Sequence, residues 1–470
     1  MGAEEHPQSN PLVPKQSRTP YHISGKPEKQ DLVDEYKGQN LDVLRTPALV
    51  IDRAVFARNC AKMHQLAQNL GARFRAHVKS HKTPEGTRLQ LLSTVDETHS
   101  IVVSTVMEVC EVFRAGLMAD GTVKDVLYGL PMAPNKIADL SALTDELSAV
   151  GASMRILLDH PDQVKGIEDW EATKTNHREW SVFIKVDSGN QYVSELSFSK
   201  CAPDKSPSRR AGLKPGTPAF TTLLEAALAS PSISVYGFYT HAGNSYASTS
   251  FEEATNYLLS EVTAVNTAAA VALKLIAAKP HLSQPREPYV LSVGATPTAH
   301  AATEELRAKL EATLNGVLEL HAGNYPLNDL QQLNTGLISP RDIASRVLAT
   351  VISYYPGRGE DGSDEAMCDA GAIAMSKDTG PRPGYGDIIG KPWRMGRCSQ
   401  EHGILAQMPP EQFALGPIQG DGSLKLGDMV QIVGQHACLI LAGYPWYYVV
   451  DSGVGDGNTV VDVWVPWKGW

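Results

Sequence analysis

The sequence predicts a TIM-type (β/α)8 barrel followed by a smaller β domain, on three observations. Eight short, mostly apolar and often β-branched runs recur between residues 74 and 323, and most of the gaps between them hold a helical pattern. Runs of this kind suit parallel strands buried on both faces, and eight βα units in about 250 residues is the size of such a barrel. After about residue 340 the texture changes to strand-like runs separated by Gly, Pro and Asp, with no long helical pattern. That is the mark of a separate β domain. A doubly wound sheet is the competing architecture for the first part.

Element by element, residues 1–43 are polar and rich in breakers and read as an N-terminal extension. TPALVID (46–52) reads as a strand, and 54–71 as a helix stopped by Gly71. The barrel strands follow as FRAHVK (74–79), SIVVST (100–105), VLYGLP (126–131) and MRILLD (154–159). WSVFIKVD (180–187), ISVYGFYT (233–240), YVLSVGAT (289–296) and GVLELHAG (316–323) complete the eight. This assigns 44–340 to the barrel and 341–470 to the β domain. Segments 190–210 and 356–365 read as loop insertions.

Composition narrows the function classes. The chain has 470 residues, 42% hydrophobic and 20% charged, which is enough apolar material for a large core and unlike a disordered chain. Lys+Arg 42 against Asp+Glu 52 leaves a net charge of −10, which points away from nucleic acid and anionic membranes. No run of about 18 consecutive apolar residues predicts a membrane span, and the polar N-terminus lacks the apolar stretch of a signal peptide. The six cysteines show no paired spacing, so a disulfide framework is not expected. The expectation is a cytoplasmic protein acting on a small molecule.

In a barrel of this kind the chemistry sits where strands end. The first strand ends at Lys79, in His77-Val78-Lys79-Ser80-His81. A lysine buried in a barrel mouth has a lowered pKa and a nucleophilic amine, suited to a Schiff base with an aldehyde such as pyridoxal 5'-phosphate. A strand-end lysine reaching solvent fits the spacing as well. The seventh and eighth strands end in glycine-bearing turns, SVGATPT (292–298) and HAGN (321–324), of the type that cradles phosphate or simply makes a βα turn. In the β domain, GQHACLI sets His436 and Cys438 two residues apart. Read as a strand, the run puts both on one face. Imidazole and thiolate suit zinc with open coordination positions, and a buried cysteine beside a hydrogen-bonded histidine is the alternative.

These residues together resemble the eukaryotic-type D-serine dehydratase family, which belongs with D-threonine aldolase among the alanine-racemase-like, fold-type-III pyridoxal phosphate enzymes. The carriers are RAHVKSHKT (75–83), VDSG (186–189) with RAG (210–212), YTHAGNSY (239–246), SVGATPT (292–298), ELHAGNY (319–325), CDAG (368–371), SQEHG (399–403), QHAC (435–438) and the terminal KGW. The resemblance implies a PLP- and zinc-dependent lyase that turns a D-amino acid into a keto acid and ammonia, and a homodimer. Lys79 corresponds to the Schiff-base lysine and α-proton base. His436 and Cys438 correspond to zinc ligands that assist loss of the β-hydroxyl. Tyr239 and Tyr246 match tyrosines near the cofactor, and Gly294, Thr296, His321, Gly323 and Asn324 match its phosphate-side loops. The family's VD-G-x-x-R-x-G run is interrupted here by segment 190–210, which makes Arg210 the displaced cofactor arginine, with Arg209 as its alternative. The aldolase branch usually carries aspartate where Cys438 stands, so the resemblance favours dehydration over retro-aldol cleavage. A non-catalytic PLP carrier is the reading from another class, and the β domain argues against it.

Overall fold

The computed structural model describes residues 25–189 and 211–470. Arg210, Arg209 and the insertion 190–210 lie outside the described residues. The first strand, β1 (Ala48–Asp52), is followed by the barrel strands in chain order. These are β2 (Arg73–His77), β3 (Ser100–Val103), β4 (Asp125–Pro131), β5 (Ser153–Leu158), β6 (Trp180–Lys185), β7 (Ile233–Tyr239), β8 (Val290–Val293) and β9 (Val317–Ala322). They pair parallel and in sequence, and β2 pairs with β9 to close the barrel. All eight runs predicted from the sequence are therefore barrel strands. Inside the barrel, Val102, Leu127, Leu157, Phe183, Tyr239 and Val290 form one apolar cluster, the side-chain filling that makes such a barrel a packed core.

The C-terminal part contributes β10 (Ser345–Tyr355), β11 (Glu365–Cys368), β12 (Gly386–Ile388), β13 (Trp393–Cys398), β14 (Gly403–Gln407), β15 (Met429–Gly434), β16 (Tyr447–Val450) and β17 (Asp462–Trp464). They build a sheet of nine strands in the order β11-β14-β13-β12-β15-β10-β1-β16-β17. The ninth member is β1. The sequence reading groups this strand with the barrel, but it runs antiparallel to β10 and parallel to β16. The chain thus starts in the β domain, builds the barrel and returns. The run Ala-Leu-Val-Ile-Asp is buried throughout, and such a run fits the middle of either sheet. Segment 356–365 is the connection of the antiparallel pair β10–β11.

Helices fill the gaps between barrel strands. Arg53–Leu70 shows how they are specified: Asp52 accepts the N–H groups of Ala54 and Val55, and Gly71 in a left-handed conformation ends the helix. The helix Phe251–Ala278 is, among the described residues, long and apolar enough to cross a membrane. Its buried face, including Ala254, Leu258, Val262 and Val265, packs on the barrel between β7 and β8.

One element of the β domain departs from expectation. The strand β15 stops at Gly434, and His436 caps a short helix, Ala437–Gly443. His436 and Cys438 therefore do not alternate along a strand. They sit on a strand-to-helix turn, at the face of the barrel where β2 and β9 end.

Candidate active site

A cavity of about 330 Å3 opens at the C-terminal ends of the barrel strands. Its walls include Lys79, Tyr239, Tyr246, Gly294, Thr296, His321 and Gly323, all singled out from the sequence. They also include His77, Lys185 and His241, which sequence reasoning did not select. The signal for Lys185 was available, as the one charge inside the apolar run WSVFIK. Among the described residues no carboxylate lines the cavity, so the described wall suits an anionic guest.

Lys79 lies two residues past the end of β2, in a tight turn. Its backbone N–H donates to His77 Nδ1 at 3.4 Å. Desolvation, then the charges of Lys79 and His241, hold His77 well below the usual histidine pKa. The imidazole is therefore neutral beside the lysine amine.

The floor is an ordered polar relay. Arg75, fully buried, donates to Glu319 Oε1 at 2.8 Å and to Asp125 Oδ1 at 2.7 Å. Ser292 Oγ donates to the same Glu319 oxygen at 2.8 Å. Its proton is thereby committed, so the 3.0 Å contact between Ser292 Oγ and His321 Nδ1 has the imidazole as donor. Burial, with the nearby charges of His241 and Lys185, keeps His321 neutral. Its Nε2 is then a bare acceptor, buried and without a hydrogen-bond partner among the described residues. A buried unpaired acceptor on a cavity wall is a place for a guest donor.

The glycine turns close one side. Gly294 has φ +141°, and a Cβ there would meet His321 O at 2.1 Å. Only glycine lets the end of β8 cross that close to β9. His241 Nδ1 donates to Gly294 O at 2.7 Å, and Asn324 N donates to Thr296 Oγ1 at 3.1 Å. Behind them, fully buried Glu261 accepts from Ala242 N at 2.5 Å and also from Gly294 N and Thr298. Burial pushes its carboxyl up to about 7 in spite of these donors. The cavity, the amine at its mouth, the glycine turns and the open His321 acceptor fit a phosphorylated aromatic aldehyde.

The β domain brings His436 and Cys438 against the turn that carries Lys79, although neither lines the cavity itself. Ser80, next to Lys79 in the chain, has its Oγ 3.0 Å from Cys438 Sγ and donates to Gly323 O at 3.1 Å. His436 and Cys438 share a side-chain hydrogen bond. Burial opposes charge on both, but their mutual interaction outweighs it. The imidazole rises to about 10, helped by Asp329 and Asp378, and the thiol falls below its usual value, helped by the nearby charge of Lys79. Asp378 Oδ2 lies 2.6 Å from His436 Nδ1, the carboxylate–histidine arrangement that orients a metal-ligating imidazole. Among the described residues, no group of three or more His, Cys, Asp or Glu side chains is placed to hold a metal ion. The donor set therefore fits zinc only as two protein ligands with open positions. Asp378 and Asp329, unremarkable in sequence, are organising residues that only the fold reveals.

Comparison with known proteins covers both halves. The alanine racemase N-terminal domain family matches residues 51–310, and the serine dehydratase domain family matches residues 344–450. D-serine dehydratase of Schizosaccharomyces pombe is 38% identical over 448 residues, 94% of this chain and 96% of that protein. D-serine dehydratase of Saccharomyces cerevisiae is 32% identical over 472 residues, 94% of this chain and 100% of that protein. The solved D-threo-3-hydroxyaspartate dehydratase from Delftia sp. HT23 superposes with a TM-score of 0.70 at 29% identity, covering 92% of this chain and 100% of that one. A cysteine-to-alanine variant of that enzyme has been solved in a metal-free form.

Proposed function

From a chain that belongs to the D-serine dehydratase family of pyridoxal phosphate-dependent lyases, we propose that the substrate is D-serine, converted to pyruvate and ammonia, with D-threonine as a second substrate giving 2-oxobutyrate. Lys79 holds the cofactor, and zinc on His436 and Cys438 completes the site. The observation that carries this reading is the juxtaposition of the Lys79 turn with the His436–Cys438 pair, through the 3.0 Å contact of Ser80 Oγ with Cys438 Sγ.

Pyridoxal phosphate, when bound, supplies an electron sink for negative charge at Cα. Zinc, when bound, supplies a Lewis acid toward the β-hydroxyl. The chain's own residues do the rest. The Lys79 amine takes the Cα proton as general base. The neutral His77 beside it adds no competing positive charge. The Gly294–Thr298 and Gly323–Asn324 turns seat the phosphate. His321 Nε2 offers an acceptor to the bound molecule, and Arg75, through Glu319 and Ser292, fixes its tautomer.

The test is product identification with purified protein, D-serine or D-threonine, pyridoxal phosphate and zinc. Pyruvate and 2-oxobutyrate with ammonia are expected. Glycine and an aldehyde would place the chemistry with retro-aldol cleavage instead, and turnover unchanged by chelation would remove the zinc.

A further inference from the structure

Asp329 stands where the two halves of the site meet. It is 1% exposed and caps the short helix Leu330–Asn334. Its Oδ2 accepts from Asn324 Nδ2 at 2.6 Å and from Ala437 N at 2.9 Å. Its Oδ1 accepts from Gln332 N at 2.9 Å. Asn324 belongs to the Gly323–Asn324 turn of the barrel, tied to Thr296 through its own N–H. Ala437 lies between His436 and Cys438. Gln331 repeats the connection: its N–H donates to Gln435 O at 3.1 Å, and its Nε2 to Asp378 Oδ2 at 3.4 Å. That same oxygen contacts His436 Nδ1. One carboxylate and its neighbour thus hold both the phosphate-side turn and the turn that carries the two metal donors.

We infer that Asp329 is a positioning residue that couples the two cofactor sites, so that pyridoxal phosphate and zinc bind cooperatively. The inference rests on the assignment of those two sites under the proposed function. A phosphate seated on the Gly323–Asn324 turn orders Asn324, and through it the Asp329 carboxylate. An ordered Asp329 holds the Ala437 N–H, which sets the orientation of the residues on either side. Zinc then meets a turn already organised and loses less free energy to ordering it. Linkage makes the effect reciprocal, with one factor in both directions. The carboxylate is specifically required. It accepts from three donors, two of them on the one oxygen that joins the two turns, whereas an amide of the same shape presents one oxygen and sets an N–H against Gln332 N when that oxygen faces Asn324 and Ala437.

The test is a pair of titrations on apoprotein. Zinc affinity is measured against a competing chromophoric chelator, with and without saturating pyridoxal phosphate. Pyridoxal phosphate affinity is measured from its bound absorbance, with and without zinc. In the native chain each ligand should tighten the other by the same factor, about fivefold or more. In Asp329→Ala, which removes the acceptor shared by the two turns, both affinities fall and the factor drops to about one. Asn324→Ala serves if that variant does not fold. It leaves Asp329 bonded to Ala437, so zinc affinity without cofactor should persist while the coupling is lost. Equal zinc affinity with and without pyridoxal phosphate in the native chain would overturn the inference, as would full coupling in either variant. A protein that binds only one of the two ligands would overturn the site assignment itself, and this inference with it.

Discussion

The Tyr239 ring lies flat against the His321 imidazole, 4.1 Å between centroids and 7° between planes. Lys185 Nζ lies 4.3 Å from the same tyrosine ring centre. The ring is therefore a platform for a neutral imidazole and a cation at once, and it fills the barrel layer with Phe183 and Val290. Tyr239→Phe keeps the platform and should change stability by less than about 1 kcal/mol, within the range of volume-conserving swaps. Tyr239→Ala opens a cavity and should cost about 3–5 kcal/mol. Denaturant unfolding of the two variants side by side separates the ring from the hydroxyl.

Lys79 is the group on which the proposed chemistry turns. Lys79→Ala should lower turnover by about 1000-fold or more, since both cofactor attachment and general base are lost. The absorbance of covalently held cofactor should disappear with it. Lys79→Arg should not restore either, because a guanidinium stays protonated and is not a base at neutral pH. Full turnover in either variant would reject the assignment.

How much of this was legible in the sequence depends on what each signal measures. The barrel strands were legible because eight apolar runs of strand length alternate with helical spacing, and local pattern suffices for that. The partner of β1 was not, because a strand buried on both faces carries no mark of which sheet it enters. The turn at His436 was misread for a related reason. The run Ala-Cys-Leu-Ile-Leu-Ala is short and continuously apolar, and such a run fits strand or helix equally. The residue types were still informative, since the fold brings His436 and Cys438 to the Lys79 turn by another route. Asp329 and Asp378 were invisible because their role is long-range: Asp329 reaches Ala437 over 108 positions of chain.

Arg75 tests the buried relay. It is 0% exposed between Asp125 and Glu319. Arg75→Ala leaves buried Glu319 without its cation and Asp125 with Arg155 alone, and should destabilise by about 3–5 kcal/mol. Burial alone would raise the Asp125 pKa, but Arg75 and Arg155 outweigh it and hold the group below its ordinary value. A depressed carboxylate contributes stability that is present above the unfolded pKa near 3.8 and is lost as pH falls through the folded one. The native chain should therefore lose this contribution only below about pH 4. Unfolding free energies of native and variant chains, compared at pH 7 and in that acid range, should converge.

His81 sets a second pH window. Its ring is fully buried, accepts from Thr83 N at 3.0 Å through Nδ1, and so donates from Nε2 to Gln90 Oε1 at 2.8 Å. Desolvation, only partly offset by Gln90, lowers its pKa from 6.5 to about 4. Between those values the unfolded chain binds a proton that the folded chain refuses, so stability falls as pH drops from about 6.5 to about 4. At 1.36 kcal/mol per pH unit the drop is about 3 kcal/mol. His81→Gln cannot take up that proton in either state. Its stability profile should be flatter across this window than that of the native chain, whatever its absolute level. A parallel profile would show that His81 does not titrate as argued.

Gly86 lies in the first turn of the helix Pro84–Leu91, where alanine would ordinarily stabilise by about 0.5–1 kcal/mol. Here a Cβ would meet His81 Nδ1 at 2.5 Å and Cε1 at 2.8 Å. The imidazole is held by Thr83 and Gln90 and cannot swing aside without breaking those bonds. Gly86→Ala should therefore destabilise, by about 1–3 kcal/mol, as overpacking does. The strain should also reach the chemistry, because His81 is two residues from Lys79 on the same turn, and turnover should fall more than substrate affinity. Removing the ring relieves the clash, so Gly86→Ala combined with His81→Ala should be less destabilised than the sum of the single variants. Strict additivity would mean that the glycine answers to helix propensity alone and that the His81 contact imposes nothing on the turn.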